Sequence, residues 1–164
     1  MIHQVSGDIL LSRAQALAHG VAANDPMKQG LALQLHEKYP AMHKDFHHWC
    51  RQKHPKPGEA WMWGGPGGVR IVNLLTQEGG FGQGARPEKA TLKNVRDALR
   101  ALTAMIASEG FTSVALPRLA TGVGALDWIE VWPIVQERLG GVAVPIFVYS
   151  EYHAGAQATE PGLG

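Results

Sequence analysis

The stretch Leu116-Pro-Arg-Leu-Ala-Thr-Gly-Val-Gly-Ala-Leu-Asp-Trp128 joins one apolar segment to another. Glycine in such a turn lets the main chain approach a ligand closely. The N–H groups of the turn, with the positive end of a following helix, suit an anion, and a phosphate is the first candidate. Thr121, Gly122, Val123 and Gly124 form the turn. Asp127 follows, with Glu130 three residues on, the spacing of a capping box. Its carboxylate is therefore either a helix cap or a group available to chemistry.

Three more polar or glycine-rich loops follow apolar, strand-like segments, where ligands of open α/β sheets bind. In Ser6-Gly7-Asp8-Ile9 the carboxylate suits an adenine amino group, or caps a turn. Asn24-Asp-Pro-Met27-Lys-Gln29-Gly30-Leu31 leads into a helix whose free N–H groups suit a phosphate or ribose, or serve capping alone. Gly79-Gly-Phe-Gly-Gln83-Gly84 precedes a long helix and reads as a functional loop or as a linker. His43, His47 and His48 share a helical segment, but no HExxH pattern or cysteine pair accompanies them, so no metal is expected. The five tryptophans are read as core and rim, because no basic stripe runs beside them.

Positioning these loops requires strands and helices in alternation. Short apolar runs predict strands over His3–Ile9, Leu17–Val21, Ala60–Trp63, Val69–Leu74, Ser113–Leu116 and Val144–Tyr149. Leu92, Val95, Leu99, Leu102 and Ile106 recur at helical spacing within Pro87–Glu109, with Gly110 just past the end. Leu31–Tyr39, Met42–Gln52 and Trp128–Leu139 predict shorter helices, the last carrying Pro133 at the cost of a hydrogen bond or a kink. Gly64–Gly68 reads as a hairpin tip. The pattern is that of an α/β domain with a sheet covered on both faces.

The bulk properties limit the classes open to the chain. Its 164 residues make one domain, able to bury roughly 70% of its unfolded surface. With 15 Lys and Arg against 14 Asp and Glu, the formal charge is +1. Bulk charge thus offers no case for a nucleic-acid or membrane partner, and a charged ligand must be held locally. The single Cys50 forms no internal disulfide, which fits a reducing, cytoplasmic setting. No signal peptide or membrane span is visible. The domain is expected over 1–152, with 153–164 a flexible tail.

Taken together, the loops resemble those of the macrodomain, an ADP-ribose-binding module, and in particular its branch of terminal ADP-ribose glycohydrolases and DNA-ADP-ribose-removing antitoxins. The resemblance rests on Gly7-Asp8-Ile9, on Ala16-Leu17-Ala18-His19 with Met27 and Gly30-Leu31-Ala32, and above all on Pro117 to Trp128. It implies a three-layer α/β/α fold with a mixed sheet. It also implies that Asp8 and Ile9 hold the adenine, faced by Tyr149 or Tyr152. The segment Met27, Gln29, Gly30 and Leu31, with His19 and the Thr121–Gly124 loop, would enclose the diphosphate and distal ribose. Relatives in this branch place a lysine after the strand ending here at Leu75-Thr76, where it attacks the distal ribose; this chain has Gln77-Glu78. One relative carries an acid where this chain has Gly124. The expected chemistry is therefore attack by water, oriented by Gln77, Gln83 or Asp127, without a cofactor. The expected partners are ADP-ribose and ADP-ribosylated protein or nucleic acid, the chain being a monomer, with a non-catalytic reader as the alternative.

Overall fold

Alternation along β4 (Arg70–Gln77) explains where the sheet lies. Val72 and Leu74 are buried toward one face and Ile71 and Leu75 toward the other, as in a strand covered on both sides. The computed structural model describes residues 1–81 and 86–163, so the expectation for Gln83 lies outside the described residues. Within them, β1 (Ile2–Gly7), β2 (Ala16–Ala22), β3 (Ala60–Gly64), β4, β5 (Val114–Pro117) and β6 (Ile146–Tyr152) form one sheet in the order β1-β6-β5-β2-β4-β3. Only β3 is antiparallel to its neighbour, joined to β4 through the Gly64–Gly68 turn. The sheet is therefore mixed, as expected.

Helices α1 (Gly30–Lys38) and α2 (Pro40–Lys53) cover one face, burying Leu35, Met42, Phe46 and Cys50. Helices α3 (Leu92–Glu109) and α4 (Trp128–Leu139) cover the other with Val95, Leu99, Leu102, Val131 and Leu139. The result is a three-layer α/β/α domain. Helix α3 begins at Leu92 rather than Pro87 because Thr91 accepts the Asn94 N–H as its N-cap, while Ala90 bridges to Gln77 at the end of β4. Gly110 closes it at φ 67°. Helix α4 runs on through Pro133.

Two further local expectations change. The first strand stops at Gly7, because Asp8 caps a short 3₁₀ turn over Ile9–Leu11 through its carboxylate and the Leu10 N–H. The segment after Tyr152, expected to fray, folds back across the end of β1. His153 N–H donates to Gly7 O at 3.0 Å and Asp8 N–H to Ala156 O at 2.7 Å. Backbone pairing and a buried carboxylate, Glu160, hold it in place, and neither has a signature in composition. Among the described residues no helix is long and apolar enough to cross a membrane.

Candidate functional site

The parallel strands β2 and β5 pair at their first residues, Ala16 with Val114 and Leu17 with Ala115, and the loops that leave them, with the start of α1, bound a cleft. It has two adjoining hollows of about 200 and 830 Å³ that share Gly30, Leu31, Pro117 and Arg118. Combined, they match the upper end of the range typical of small-molecule sites, roughly 300–1,000 Å³.

The inner hollow lies against the first turn of α1. Gly30, Leu31 and Ala32 all line it, and the N-cap residue Gln29 makes no side-chain cap. The N–H groups and the positive helix end are thus turned toward the cleft, an arrangement that attracts anions. Lys28 and Arg118 line the same hollow and add two local cations. Sequence reasoning missed both, since a single basic residue in a loop has no distinguishing pattern. Arg118 also sits 5.9 Å from the Trp128 ring centroid. A chain of formal charge +1 can in this way hold an anion without a basic surface.

The loop before α1 is tightly built. The Asp25 carboxylate accepts from the N–H groups of Ala22 and Met27, both at 2.8 Å. His47 Nε2 donates to Asp25 O at 2.8 Å and His36 Nδ1 to Met27 O at 3.3 Å. His43 stacks between these two rings, with centroids at 3.8 and 4.2 Å. Burial and the two neighbouring imidazoles push the His43 pKa down to about 4. These histidines brace the loop from behind. Asn24 and Met27 take left-handed φ of 53° and 51°, a costly conformation for non-glycine residues that such bracing supports.

The Thr121–Gly124 turn takes its curvature from the residues that flank it. The left-handed positions belong to Ala120, at φ 62°, and Ala125, at φ 61°. Gly124 is needed for closeness: a Cβ there would lie 2.6 Å from Ala120 O and 3.0 Å from the Ala90 Cβ. A Cβ on Gly122 would meet nothing within 4 Å beyond its chain neighbours. Gly122, Val123 and Gly124 line the inner hollow, whereas Thr121 turns its hydroxyl to Arg118 O at 2.9 Å.

Two polar side chains from the sheet reach the inner hollow. His19, on β2, is buried, and its Nε2 lies 2.5 Å from Asn73 Oδ1. Because a carbonyl oxygen only accepts, Nε2 carries the proton and Nδ1 keeps its lone pair. Burial lowers the His19 pKa to about 4, so the ring is neutral at physiological pH. Gln77 closes β4 and donates Nε2–H to Glu88 O at 2.7 Å, while its carbonyl oxygen accepts the Thr76 hydroxyl at 3.5 Å and keeps a second lone pair.

The outer hollow is lined by Ile9, Tyr149 and Tyr152, with Leu31, Gln34 and His153. Tyr149 is buried while Tyr152 is 56% exposed. Four candidates fall elsewhere. The Asp8 carboxylate takes the N–H groups of Leu10 and Gly155, at 3.0 and 2.9 Å, and lines neither hollow. Met27 is 1% exposed and packs into the α1/α2 core, because its φ turns the side chain inward. Thr121 is committed to Arg118, as above. Asp127 is exposed, makes no side-chain cap and lines neither hollow.

The Macro domain family profile matches residues 18–135. A DNA ADP-ribosyl glycohydrolase of Mycobacterium tuberculosis is 30% identical over 136 residues, covering 80% of this chain and 36% of that protein. The ADP-ribose glycohydrolase OARD1 of Homo sapiens is 25% identical over 150 residues, 91% of each chain. The macrodomain of Thermus aquaticus DarG superposes with a TM-score of 0.80 at 27% identity, over 92% of this chain and 98% of that one. The chain spans about two fifths of the length of the DNA ADP-ribosyl glycohydrolases it matches. On fold, cleft and sequence alike, the chain belongs to the macro domain family and is related to ADP-ribose glycohydrolases.

Proposed function

We propose that the cleft binds ADP-ribose and that the chain is a mono-ADP-ribosyl hydrolase, releasing ADP-ribose from a protein carboxylate or from a thymidine-type nucleic-acid adduct. The observation that carries the reading is the convergence of the uncapped α1 N-terminus, Lys28 and Arg118 on one hollow, with an aromatic-lined hollow adjoining it. The diphosphate fits the first feature, since helix N–H groups and two cations stabilise a dianion. The base fits the second, and the distal ribose lies toward His19, Gln77 and the Gly122–Gly124 turn.

Hydrolysis then proceeds by direct attack of water on the anomeric carbon. The new C–O bond forms as the bond to the acceptor breaks, and the acceptor leaves with the electron pair. The carbonyl oxygen of Gln77 orients the water, whose proton passes to solvent as the acceptor departs. Asp127 is not used, being outside both hollows. A reader without catalysis is the second reading. It is favoured by one observation, that the Gln77 amide is already committed to Glu88 O.

Calorimetry with ADP-ribose, followed by incubation with glutamate-linked and thymidine-linked conjugates, tests both. Release by the wild type that falls at least tenfold in Gln77→Ala supports the hydrolase. Binding without release from either conjugate leaves the reader. No binding of ADP-ribose sinks both.

A further inference from the structure

The outer hollow has a back wall that belongs to the end of the chain. Glu160 is 8% exposed, yet its carboxylate collects three donors. Ser12 Oγ donates to Oε2 at 2.5 Å, Tyr149 OH donates to the same oxygen at 2.8 Å, and the Arg13 N–H donates to Oε1 at 2.8 Å. A buried carboxylate satisfied in this way is fixed in direction, and so are the groups that bond to it. Tyr149 is one of them, and its ring lines the outer hollow.

The rest of the segment is tied to the same region. Gly155 N–H donates to Asp8 Oδ2 at 2.9 Å, and a Cβ on Gly7 would come within 2.8 Å of Ala156 O, so the two backbones are in direct contact. Ala158 and Leu163 pack behind the cluster of Val5, Ile9, Phe147 and Tyr149. Ile9 and Tyr149 thus face the hollow on one side and are backed by this segment. Burial raises the pKa of the Tyr149 phenol, so it stays protonated and donates to Glu160 at neutral pH.

We propose that Glu160 is a positioning residue for ligand recognition: through the Tyr149 hydroxyl and the docked segment around it, Glu160 sets the wall that receives the base of the nucleotide. The inner hollow, formed by other loops, does not depend on it. The proposal rests on the ADP-ribose reading above and assigns the segment beyond Tyr152 to the binding site.

The test compares two ligands on the full chain, ADP-ribose and ribose 5-phosphate, the second lacking the base. Glu160→Ala is expected to weaken ADP-ribose at least tenfold while ribose 5-phosphate changes less than twofold. Glu160→Gln, which keeps one acceptor oxygen, should recover part of the loss. Tyr149→Phe, which keeps the ring and deletes the hydroxyl, should reproduce the selective loss, and it decides the matter if Glu160→Ala does not fold. A general loosening of the domain would weaken both ligands together. Equal losses for the two ligands, or none in Tyr149→Phe, would overturn the proposal while leaving ADP-ribose binding intact. If the wild type does not bind ADP-ribose, the functional reading fails and this proposal falls with it.

Discussion

Two glycines separated by one residue, Gly122 and Gly124, give a matched experiment. A methyl at Gly124 would sit 2.6 Å from Ala120 O and 3.0 Å from the Ala90 Cβ. Ordinary contact lies nearer 3.4 Å, so the carbonyl must move by about 0.8 Å. That carbonyl accepts the Leu126 N–H at 3.0 Å, and Gly124 O accepts the Ala90 N–H at 2.9 Å, so the displacement strains both bonds. Ala120 already holds a left-handed φ of 62° and has little room to adapt. Overpacking of this kind costs about 1–3 kcal/mol. For a domain of this size the melting temperature should fall by roughly 2–12 °C. Gly122→Ala places its methyl in open space at a φ that any residue adopts, so its stability should stay within about 0.5 kcal/mol of wild type. Both residues line the inner hollow, so both variants should weaken ADP-ribose. Differential scanning calorimetry and ligand titration on the same preparations read the two effects separately. Equal thermal shifts for the two alanines, or an unshifted Gly124→Ala, would refute the reasoning.

Other perturbations follow from the same geometry. His19 titrates near 4 in the fold and near 6.5 when unfolded, so below pH 6.5 the unfolded chain binds a proton that the native ring refuses. Its contribution is intact above pH 6.5 and is lost as pH falls toward 4, up to about 3 kcal/mol. Urea melts of wild type and His19→Asn at pH 7 and 4.5 check this, and identical pH slopes would count against it. Lys28→Ala and Arg118→Ala should each weaken ADP-ribose by about 1.5–3 kcal/mol and flatten its salt dependence; titrations at low and high salt would expose a neutral effect. Gln77→Lys supplies the amine that the branch resemblance places after β4. Borohydride treatment with ADP-ribose should then trap a covalent adduct seen by mass spectrometry, and binding without an adduct would mean that residue 77 does not face the distal ribose.

The features legible in the chain were local ones. Helical spacing from Leu92 to Ile106 and the apolar run of β4 report which face of an element is buried, and burial repeats with the period of the element itself. Pro40 and Gly110 mark helix boundaries because their constraints act within one turn. Glycines around 122 and 124 marked a cleft-lining turn for the same reason, although alanines took the left-handed positions. The mixed sheet, implied by resemblance, is present too.

Tertiary structure decided which side chains meet. Nothing near Lys28 in the chain announces Arg118, and only the adjacency of β2 and β5 brings both to one hollow. Met27 follows a polar loop, yet its backbone turns it into the core. Asp127 has the spacing of a capping box, but spacing does not determine where a carboxylate points, and it neither caps nor reaches the cleft. Glu160 is the clearest case. Two of its three donors, on Ser12 and Arg13, are 148 and 147 residues away, and a buried acid held from so far along the chain reads as an ordinary charged residue until the chain closes on itself. Periodicity records the surroundings of an element, whereas the partner of a polar group depends on loop closure between distant segments, which no local pattern encodes.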